Sequence, residues 1–312
     1  MQNDFAFSDP GFLEILFVLE IKYLFCNMPR TTKMSETLQP VVFLSHGGGP
    51  SFFMSKAEFP AFKAIDKDSK AADYLRNMVK LEKLPHPKAI LVVSAHWEER
   101  HPTVMTNPSP PLYFDYYGFP SNTYKLKWPS PGAPESAERT RQVLEARGFT
   151  CGADEERGFD HGVFVPLLLM YPKADIPVFQ LSLMSSLSME KHLDLGEALS
   201  DLRKEGILII GSGFTTHGKN MIGDDGPPAP WVLEYQKWLH DILKNPDYSR
   251  EDKRRKLIGC VSKQEFPKAH PRIEHFLPIA LTLAAAGYTA PRIAYSEIVS
   301  TGGILEHYVY SD

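Results

Sequence analysis

The fold class is indicated by the stretch Val41-Val42-Phe43-Leu44-Ser45-His46-Gly47-Gly48-Gly49-Pro50. Its first four residues are continuously apolar, which is typical of a strand that is covered on both faces in an α/β sheet. Ligands of open α/β sheets bind at the carboxyl ends of the strands, so His46 is expected at that edge. The three glycines allow the backbone to turn sharply beside whatever His46 contacts.

Two further apolar runs repeat this pattern. Ala89–Trp97 contains His96 near its end, and Gly206–Gly213 is followed closely by His217. A predicted helix over Met189–Arg203, with His192 on its surface, precedes the second of these runs and completes a β-α-β unit. The sequence therefore predicts an α/β fold that brings three histidines to one edge of a sheet.

Composition excludes several classes of protein. The 312 residues are 43% hydrophobic and 23% charged, which is ordinary for a globular protein with a sizeable core. A formal net charge of -4 without a run of basic residues argues against nucleic-acid and anionic-membrane partners. The three cysteines have no paired spacing, which argues against disulfides and thiolate zinc sites and favours a reducing, cytoplasmic location. Any metal must be held mainly by nitrogen and oxygen.

The first part of the chain differs from the rest. Residues 12–26 are rich in large apolar side chains, but Glu14, Glu20 and Lys22 interrupt them, so the segment is too short and too charged to span a bilayer. It also lacks the features of a secretory signal or a mitochondrial transit peptide. We predict an extension over residues 1–39 and a single catalytic domain over residues 40–312.

Two more histidines lie next to predicted buried elements. His161 follows Asp160 and leads into an apolar run, and His275 lies one turn into a buried helix predicted to begin near Ala269. Glu274 and His275 would be neighbours on that helix and would point in different directions, so only one could face the cluster. The candidate set is thus His46, His96, His161, His217 and His275.

Five histidines are enough for a metal site and for proton transfer. Three neutral imidazoles around one divalent ion make a common catalytic metal centre, and imidazole suits both zinc and iron. The remaining two could transfer protons near neutral pH. The proline- and aromatic-rich residues 100–133 are either a packed loop over the sheet or an aromatic wall for a flat, apolar substrate.

Six motifs in order resemble the class III extradiol ring-cleavage dioxygenases of the LigB type, and among them the 4,5-DOPA dioxygenase branch. The resemblance covers about residues 40–310. The motifs are His46-Gly47-Gly48-Gly49-Pro50, Ser94-Ala95-His96-Trp97, Tyr117-Gly118-Phe119-Pro120, Asp160-His161-Gly162, Gly211-Ser212-Gly213 with Thr216-His217, and Glu274-His275-Phe276-Leu277-Pro278.

The resemblance implies an α/β domain with a mixed central sheet flanked by helices and a metal site at the strand carboxyl ends. It assigns the metal ligands to His46, His96 and His275, with Glu274 as the alternative to His275. It makes His217 the catalytic acid/base and His161 a second active-site histidine. The predicted substrate-binding residues are Trp97, Tyr117 and Asp160.

The implied reaction inserts O2 into a catechol such as DOPA and opens the ring next to the diol. One divalent ion per chain is expected, Fe(II) for activity or Zn(II) as bound, in a monomer or a small homo-oligomer. Phe114 stands where this branch often has histidine, which leaves the choice of catechol open. The alternatives are a zinc hydrolase that uses the same three histidines to activate water, and a non-catalytic metal- or aromatic-binding protein.

Overall fold

Eight strands form one mixed sheet in this computed structural model, which describes residues 38–224 and 226–311. They are β1 (Val41–Ser45), β2 (Ala89–Glu99), β3 (Thr103–Met105), β4 (Gly152–Asp154), β5 (Val178–Met184), β6 (Ile207–Gly213), β7 (Arg292–Ile298) and β8 (Ile304–Tyr310). Their order is β4-β3-β5-β2-β6-β1-β8-β7. The predicted α/β fold with a mixed sheet is confirmed. All but the last two residues of the predicted extension, 1–39, lie outside the described residues, so the domain division stays a prediction.

The four central strands are parallel and place their carboxyl ends side by side. β6 pairs with β1 on one side and β2 on the other, and β2 pairs with β5. All residues of β1, β5 and β6 are buried, as expected for strands that are covered on both faces. Ser45 lies opposite Gly213, and Ser94 lies opposite Ser212. The segments that follow β1 and β6 therefore start at the same edge, where β2 also passes.

Eight α-helices lie in the described part of the chain. They are α1 (Lys70–Leu81), α2 (Pro134–Ala146), α3 (His161–Met170), α4 (Met189–Leu199), α5 (Pro230–Lys244), α6 (Arg250–Ile258), α7 (Phe266–Ala269) and α8 (Leu277–Ala285). Short 3-10 turns occur at Ser51–Phe53, Pro60–Ile65, Ser121–Lys125, Ser200–Glu205 and Cys260–Ser262. Helix α3 packs against β2 and β6, and α8 packs against β6 and β1, so both helices are almost wholly buried. None of the helices of this part is long and apolar enough to cross a bilayer.

The predicted helix around His275 was placed wrongly. Residues 270–276 are turns, and α8 begins only at Leu277, so His275 precedes the helix. His270 comes directly before a proline, a position that disfavours helical backbone, and its φ and ψ of -138° and 85° are not helical. Pro278 then lies in the first turn of α8, where its missing N–H costs nothing.

His192 was predicted on the surface and is instead fully buried. Its Nδ1 lies 2.7 Å from the Ser188 carbonyl oxygen, and its Nε2 accepts a 3.0 Å hydrogen bond from the backbone N–H of Met184. The imidazole therefore ties the end of β5 to the start of α4. That helix also ends at Leu199 and not at Arg203, because a 3-10 turn follows it.

Candidate active site

The backbone brings His46 to the edge of the sheet. Its N–H donates to the carbonyl oxygen of Gly213 at 3.1 Å, which continues the β1–β6 pairing by one residue. Gly47 and Gly49 follow with φ of +85° and +53°, values that favour glycine because a Cβ makes them strained. The predicted sharp turn is confirmed, and His46 is held just beyond the end of β1 with only 1% of its surface exposed.

His96 lies within β2 and not at its end. The strand continues to Glu99, and its pairing with β5 shifts register between Val93 and Glu98. Such an irregularity bends a strand and redirects side chains. The His96 Nε2 atom lies 3.2 Å from the Nε2 of His46 and 3.2 Å from the Nε2 of His275.

The hydrogen bonds of His46 fix its protonation state. Its Nδ1 lies 2.9 Å from Ser212 Oγ, and that hydroxyl donates its only hydrogen to the carbonyl oxygen of Gly162. The hydroxyl can then only accept from His46, so the proton of His46 is on Nδ1. The Nε2 atom is left with a free lone pair that faces His96.

The other two histidines of this trio follow the same rule. His275 Nδ1 lies 2.9 Å from Oε1 of Glu274, which accepts its proton. His96 Nδ1 lies 3.5 Å from Oδ2 of Asp115. In each case an acceptor lies on the Nδ1 side, and the Nε2 side faces the other imidazoles. Glu274 therefore lies behind His275. The two residues lie in a turn and not on the predicted helix, and the choice of His275 as ligand stays a prediction.

This donor set fits a divalent metal ion. Ligating nitrogens 2.0–2.1 Å from a tetrahedral ion are about 3.3–3.4 Å from one another, close to the 3.2 Å separations in the trio. Histidine ligands usually donate their second N–H to a carboxylate or another acceptor, as His46 and His275 do here, while His96 Nδ1 faces Asp115 at 3.5 Å. Burial lowers the pKa of His46, His96 and His275 well below the ordinary value, and neighbouring imidazoles lower it further. Neutral imidazoles with free Nε2 lone pairs are the form that binds metal.

His161 lies beside the trio at the start of α3. Its ring centroid is 3.9 Å from that of His96 and 5.3 Å from that of His46. Gly162 follows it because this position has no room for a side chain: a Cβ would lie 2.5 Å from Ser94 Oγ and 3.2 Å from His46 Nδ1. Ligand atoms of His46, His96 and His161 lie within 4.8 Å of one another, so His161 is also close enough to take part in metal binding.

His217 completes the cluster from the segment after β6. Its ring stacks on that of His275, with the centroids 3.5 Å apart and the planes at 10°. Its side chain is 38% exposed, compared with 5% for that of His275. Burial lowers the pKa of His217 to about 4, with a further contribution from His161. His217 is therefore a neutral and accessible imidazole near pH 7. We call His46, His96, His161, His217 and His275 the histidine cluster.

Sequence reasoning missed Asp115 as a functional residue. Its Oδ1 accepts hydrogen bonds from the backbone N–H and from Nδ1 of His161, at 2.9 and 2.8 Å. Burial raises the pKa of Asp115, but the hydrogen bond from His161 and the nearby imidazoles outweigh that effect and leave it below the ordinary value. The only signal in the sequence was that Asp115 lies two residues before the Tyr117-Gly118-Phe119-Pro120 motif.

The three predicted substrate-binding residues lie in different environments. Asp160 is fully buried and accepts from Ser94 Oγ at 2.7 Å and from Arg157 at 3.0 Å. Trp97 is 2% exposed, and its indole N–H donates to Glu99. Tyr117 is 91% exposed. Their contact with substrate stays a prediction, and the bonds of Asp160 indicate that it also supports the site from behind.

The loop that contains Asp115 packs its other aromatic rings close to the cluster. Tyr116 is buried, its ring centroid is 6.0 Å from that of His161, and its hydroxyl donates to the carbonyl oxygen of Thr123. Phe119 contacts the rings of Phe59 and Phe62, with centroids 5.5 and 5.9 Å away. The loop is packed, as the first alternative has it, and its role as an aromatic wall for a flat substrate stays a prediction.

Comparison with protein families decides the class of the protein. A model of the catalytic LigB subunit of aromatic ring-opening dioxygenase matches residues 40–305. The chain belongs to the LigB family of class III extradiol dioxygenases. It is accordingly an enzyme of the aromatic ring-opening dioxygenase type, and the resemblance read from the six motifs is confirmed.

Curated members of the LigB family cover most of the chain. A 4,5-DOPA dioxygenase extradiol of Beta vulgaris is 38% identical over 258 residues, which are 81% of this chain and 88% of that protein. One of Escherichia coli (strain K12) is 32% identical over 255 residues, or 81% and 87% of the two chains. Dioxygenase tasH of Hapsidospora irregularis is 40% identical over 80% of this chain and 78% of its own.

A solved structure shares the fold. The crystal structure of an uncharacterized protein from Escherichia coli K12 superposes with a TM-score of 0.70 and 26% sequence identity. The match covers 88% of this chain and 100% of the other chain. The fold of this chain is therefore shared with a solved protein over most of its length.

Proposed function

We propose that the protein is a metal-dependent extradiol dioxygenase that inserts O2 into an ortho-dihydroxyaromatic substrate such as DOPA and opens the ring next to the diol. The observation that carries the proposal is the trio of Nε2 atoms, each with a free lone pair, at the edge of a LigB-family fold. The similarity to proteins named 4,5-DOPA dioxygenase extradiol supports a catechol as substrate.

His46, His96 and His275 would hold the metal ion. When bound, Fe(II) supplies the redox chemistry that connects an electron-rich diol with dioxygen. Zinc fits the same ligands and generally binds nitrogen and oxygen sites more tightly than Fe(II), so purified protein can contain zinc without being active. The side chains behind the trio, Ser212 and Glu274 among them, keep the Nε2 lone pairs available by accepting the Nδ1 protons.

His217 would accept a phenolic proton from the substrate. It suits this role because it is the most exposed of the cluster histidines and is neutral at pH 7, having a pKa of about 4. Its backbone N–H donates to the carbonyl oxygen of Ala269 at 2.7 Å, which fixes the loop that carries it. A positioned general base of this kind typically contributes about 10²–10⁴-fold to a rate.

His161 would act as the second active-site histidine. Its Nδ1 proton is accepted by Asp115, so its Nε2 can accept a hydrogen bond or a proton. Its ring lies 3.9 Å from that of His96, a proposed ligand, which supports a role in holding substrate or oxygen. Tyr117, which is exposed, is the proposed aromatic contact for the substrate ring.

The test is oxygen uptake by protein that has been stripped of metal and reloaded anaerobically with Fe(II). With L-DOPA and a small panel of catechols, we expect uptake of one O2 per diol and a new visible absorbance from the ring-opened product. His86→Ala is the matched control, because it removes an exposed histidine that lies outside the cluster. A protein that binds one metal per chain and consumes no oxygen with any diol would refute the proposal, and turnover without oxygen would favour the zinc hydrolase.

A further inference from the structure

One carboxylate lies between two imidazoles of the histidine cluster. Asp115 contacts His161 through Oδ1, at 2.8 Å from Nδ1, and faces His96 through Oδ2, at 3.5 Å from Nδ1. Its side chain is 11% exposed, so water competes little for these oxygens. The two oxygens of one residue therefore serve a proposed metal ligand and a proposed active-site histidine at the same time.

Asp115 is well placed because its loop is anchored next to it. The N–H of Tyr113 donates to the carbonyl oxygen of Phe159 at 2.7 Å, and the N–H of Phe159 donates to that of Pro111 at 2.9 Å. The guanidinium of Arg157 also lies 5.1 Å from the ring centroid of Tyr113. These contacts fix the backbone only two residues before Asp115 and two residues before His161. A group supported in this way can hold its partner within a narrow range of positions.

Among the described residues, Asp115 is the carboxylate that accepts hydrogen bonds from His161. Asp160 is the N-cap residue of α3, but its side chain makes no capping hydrogen bond, because its oxygens accept from Ser94 and Arg157. Asp115 accepts the first N–H of α3 in its place. A negative charge at a helix N-terminus is favourable, so the contact also stabilises α3.

We propose that Asp115 is a positioning residue for the metal site: its carboxylate keeps the protons of His96 and His161 on Nδ1 and so leaves both Nε2 atoms unprotonated. The inference rests on the proposed function, in which His96 is a metal ligand. The sequence 106–133, which carries Tyr116 and Tyr117, is thereby coupled to metal binding through a single side chain. A change in this loop alters the affinity of the metal centre as well as the fit of the substrate.

The decisive variant is Asp115→Asn, which keeps the shape and removes the charge. An amide NH2 facing His96 can only donate, so Nδ1 must accept and the proton moves to Nε2, where it blocks metal binding. We expect zinc and Co(II) affinities, measured by competition with a chromophoric chelator, to fall about 10- to 100-fold. Asp115→Glu retains the charge and should recover part of the affinity.

A second readout is independent of activity and of metal. Nitrogen-15 NMR of histidine-labelled apoprotein reports which ring nitrogen carries the proton. We expect the Nδ1–H form for His96 and His161 in the wild-type protein. In Asp115→Asn we expect His96 to shift toward Nε2–H, while His161 keeps Nδ1–H because the amide oxygen still accepts from it. Glu306→Gln is the matched control, because it makes the same change at another buried carboxylate that contacts a histidine, His240, and should leave metal affinity unchanged.

The outcomes separate this inference from the proposed function. Wild-type affinity and unchanged tautomers in Asp115→Asn would overturn the role of Asp115 while leaving the metal site intact. Failure of the wild-type protein to bind metal would overturn the metal site itself. If Asp115→Asn does not fold, as shown by thermal unfolding, Asp115→Glu replaces it, and unaltered metal affinity together with an altered His96 tautomer in that variant would contradict the inference.

Discussion

Two regions of the molecule pair histidines with buried acceptors, and they use the imidazole in opposite ways. In the histidine cluster the acceptors take the Nδ1 protons, and the Nε2 atoms of His46, His96 and His275 face one another. In the second region His240 uses Nε2 itself to contact Glu306, at 3.0 Å from both oxygens. The first arrangement leaves lone pairs for a ligand, and the second uses the imidazole within the fold.

The second region, which we call the Glu306 network, is saturated with hydrogen bonds. Glu306 has no exposed surface, and its oxygens accept from residues on α5, β7 and β8, namely Gln236, His240, Ser296 and Tyr308. Such a network fastens α5 to the edge of the sheet, because four side chains from three elements meet on the one carboxylate. The two regions thus differ in the nitrogen that meets the carboxylate: Nδ1 in the cluster and Nε2 in the Glu306 network.

Removing a proposed metal ligand should have the largest effect on the difference between the histidine cluster and the Glu306 network. We expect His46→Ala to lose essentially all ring-opening activity and to bind zinc at least about 100-fold more weakly, since even residues behind the ligands contribute 10- to 100-fold. Metal content after dialysis and oxygen uptake measure the two effects. Undiminished metal binding in this variant would place the metal elsewhere, and His86→Ala serves as the control.

Removing His217 should separate catalysis from metal binding. We expect His217→Ala to lower kcat by about 10²–10⁴-fold, the usual contribution of a general base. Its metal affinity should stay near that of the wild-type protein, because His217 lies beside His275 and outside the trio of short Nε2 contacts. A large loss of bound metal would instead make His217 a ligand. Single-turnover kinetics with Fe(II)-loaded protein, together with metal analysis, distinguish the two.

A substitution in the Glu306 network should lower the stability of the protein without changing its metal binding. Glu306→Gln turns one acceptor oxygen into a donor that faces other donors, so about 1–3 kcal/mol of unfolding free energy should be lost. Urea unfolding of the apoprotein measures this loss. Zinc affinity should not change, and a variant that lost metal at full stability would show that the two regions are coupled.

The pH dependence of stability gives the smallest and most specific effect. Burial raises the pKa of Glu306, but hydrogen bonds from His240, Ser296 and Tyr308 outweigh it and leave the pKa below the ordinary value. A carboxyl whose pKa is lowered by folding stabilises the protein above its unfolded-state pKa, about 4.3, and loses that contribution as pH falls through the folded-state value. The difference in unfolding free energy between the wild type and Glu306→Gln should therefore be constant near pH 6–7 and become smaller below about pH 4.3. A free-energy difference that became larger in acid would contradict a lowered pKa of Glu306.

The histidines of the cluster could be found from sequence because their positions follow from a general rule. Apolar runs predict buried strands, and the carboxyl ends of parallel strands meet at one edge, so His46 and His217 were expected together before any contact was known. Asp115 could not be found in this way, because it lies in a long loop with no periodicity. His192 was misjudged as a surface residue for a related reason: helical periodicity does not show whether a neighbouring strand covers a residue.

By itself, the sequence determined the fold class, the central strands and the identity of the five cluster histidines, since these depend on local patterns of apolar residues and on motifs. Only the tertiary structure decided which nitrogen of each imidazole is free, because that depends on acceptors distant in sequence, such as Ser212 behind His46 and Asp115 behind His161. It also placed His275 in a turn with Glu274 behind it. Protonation and orientation are set by contacts across the fold, and a linear pattern carries no information about them.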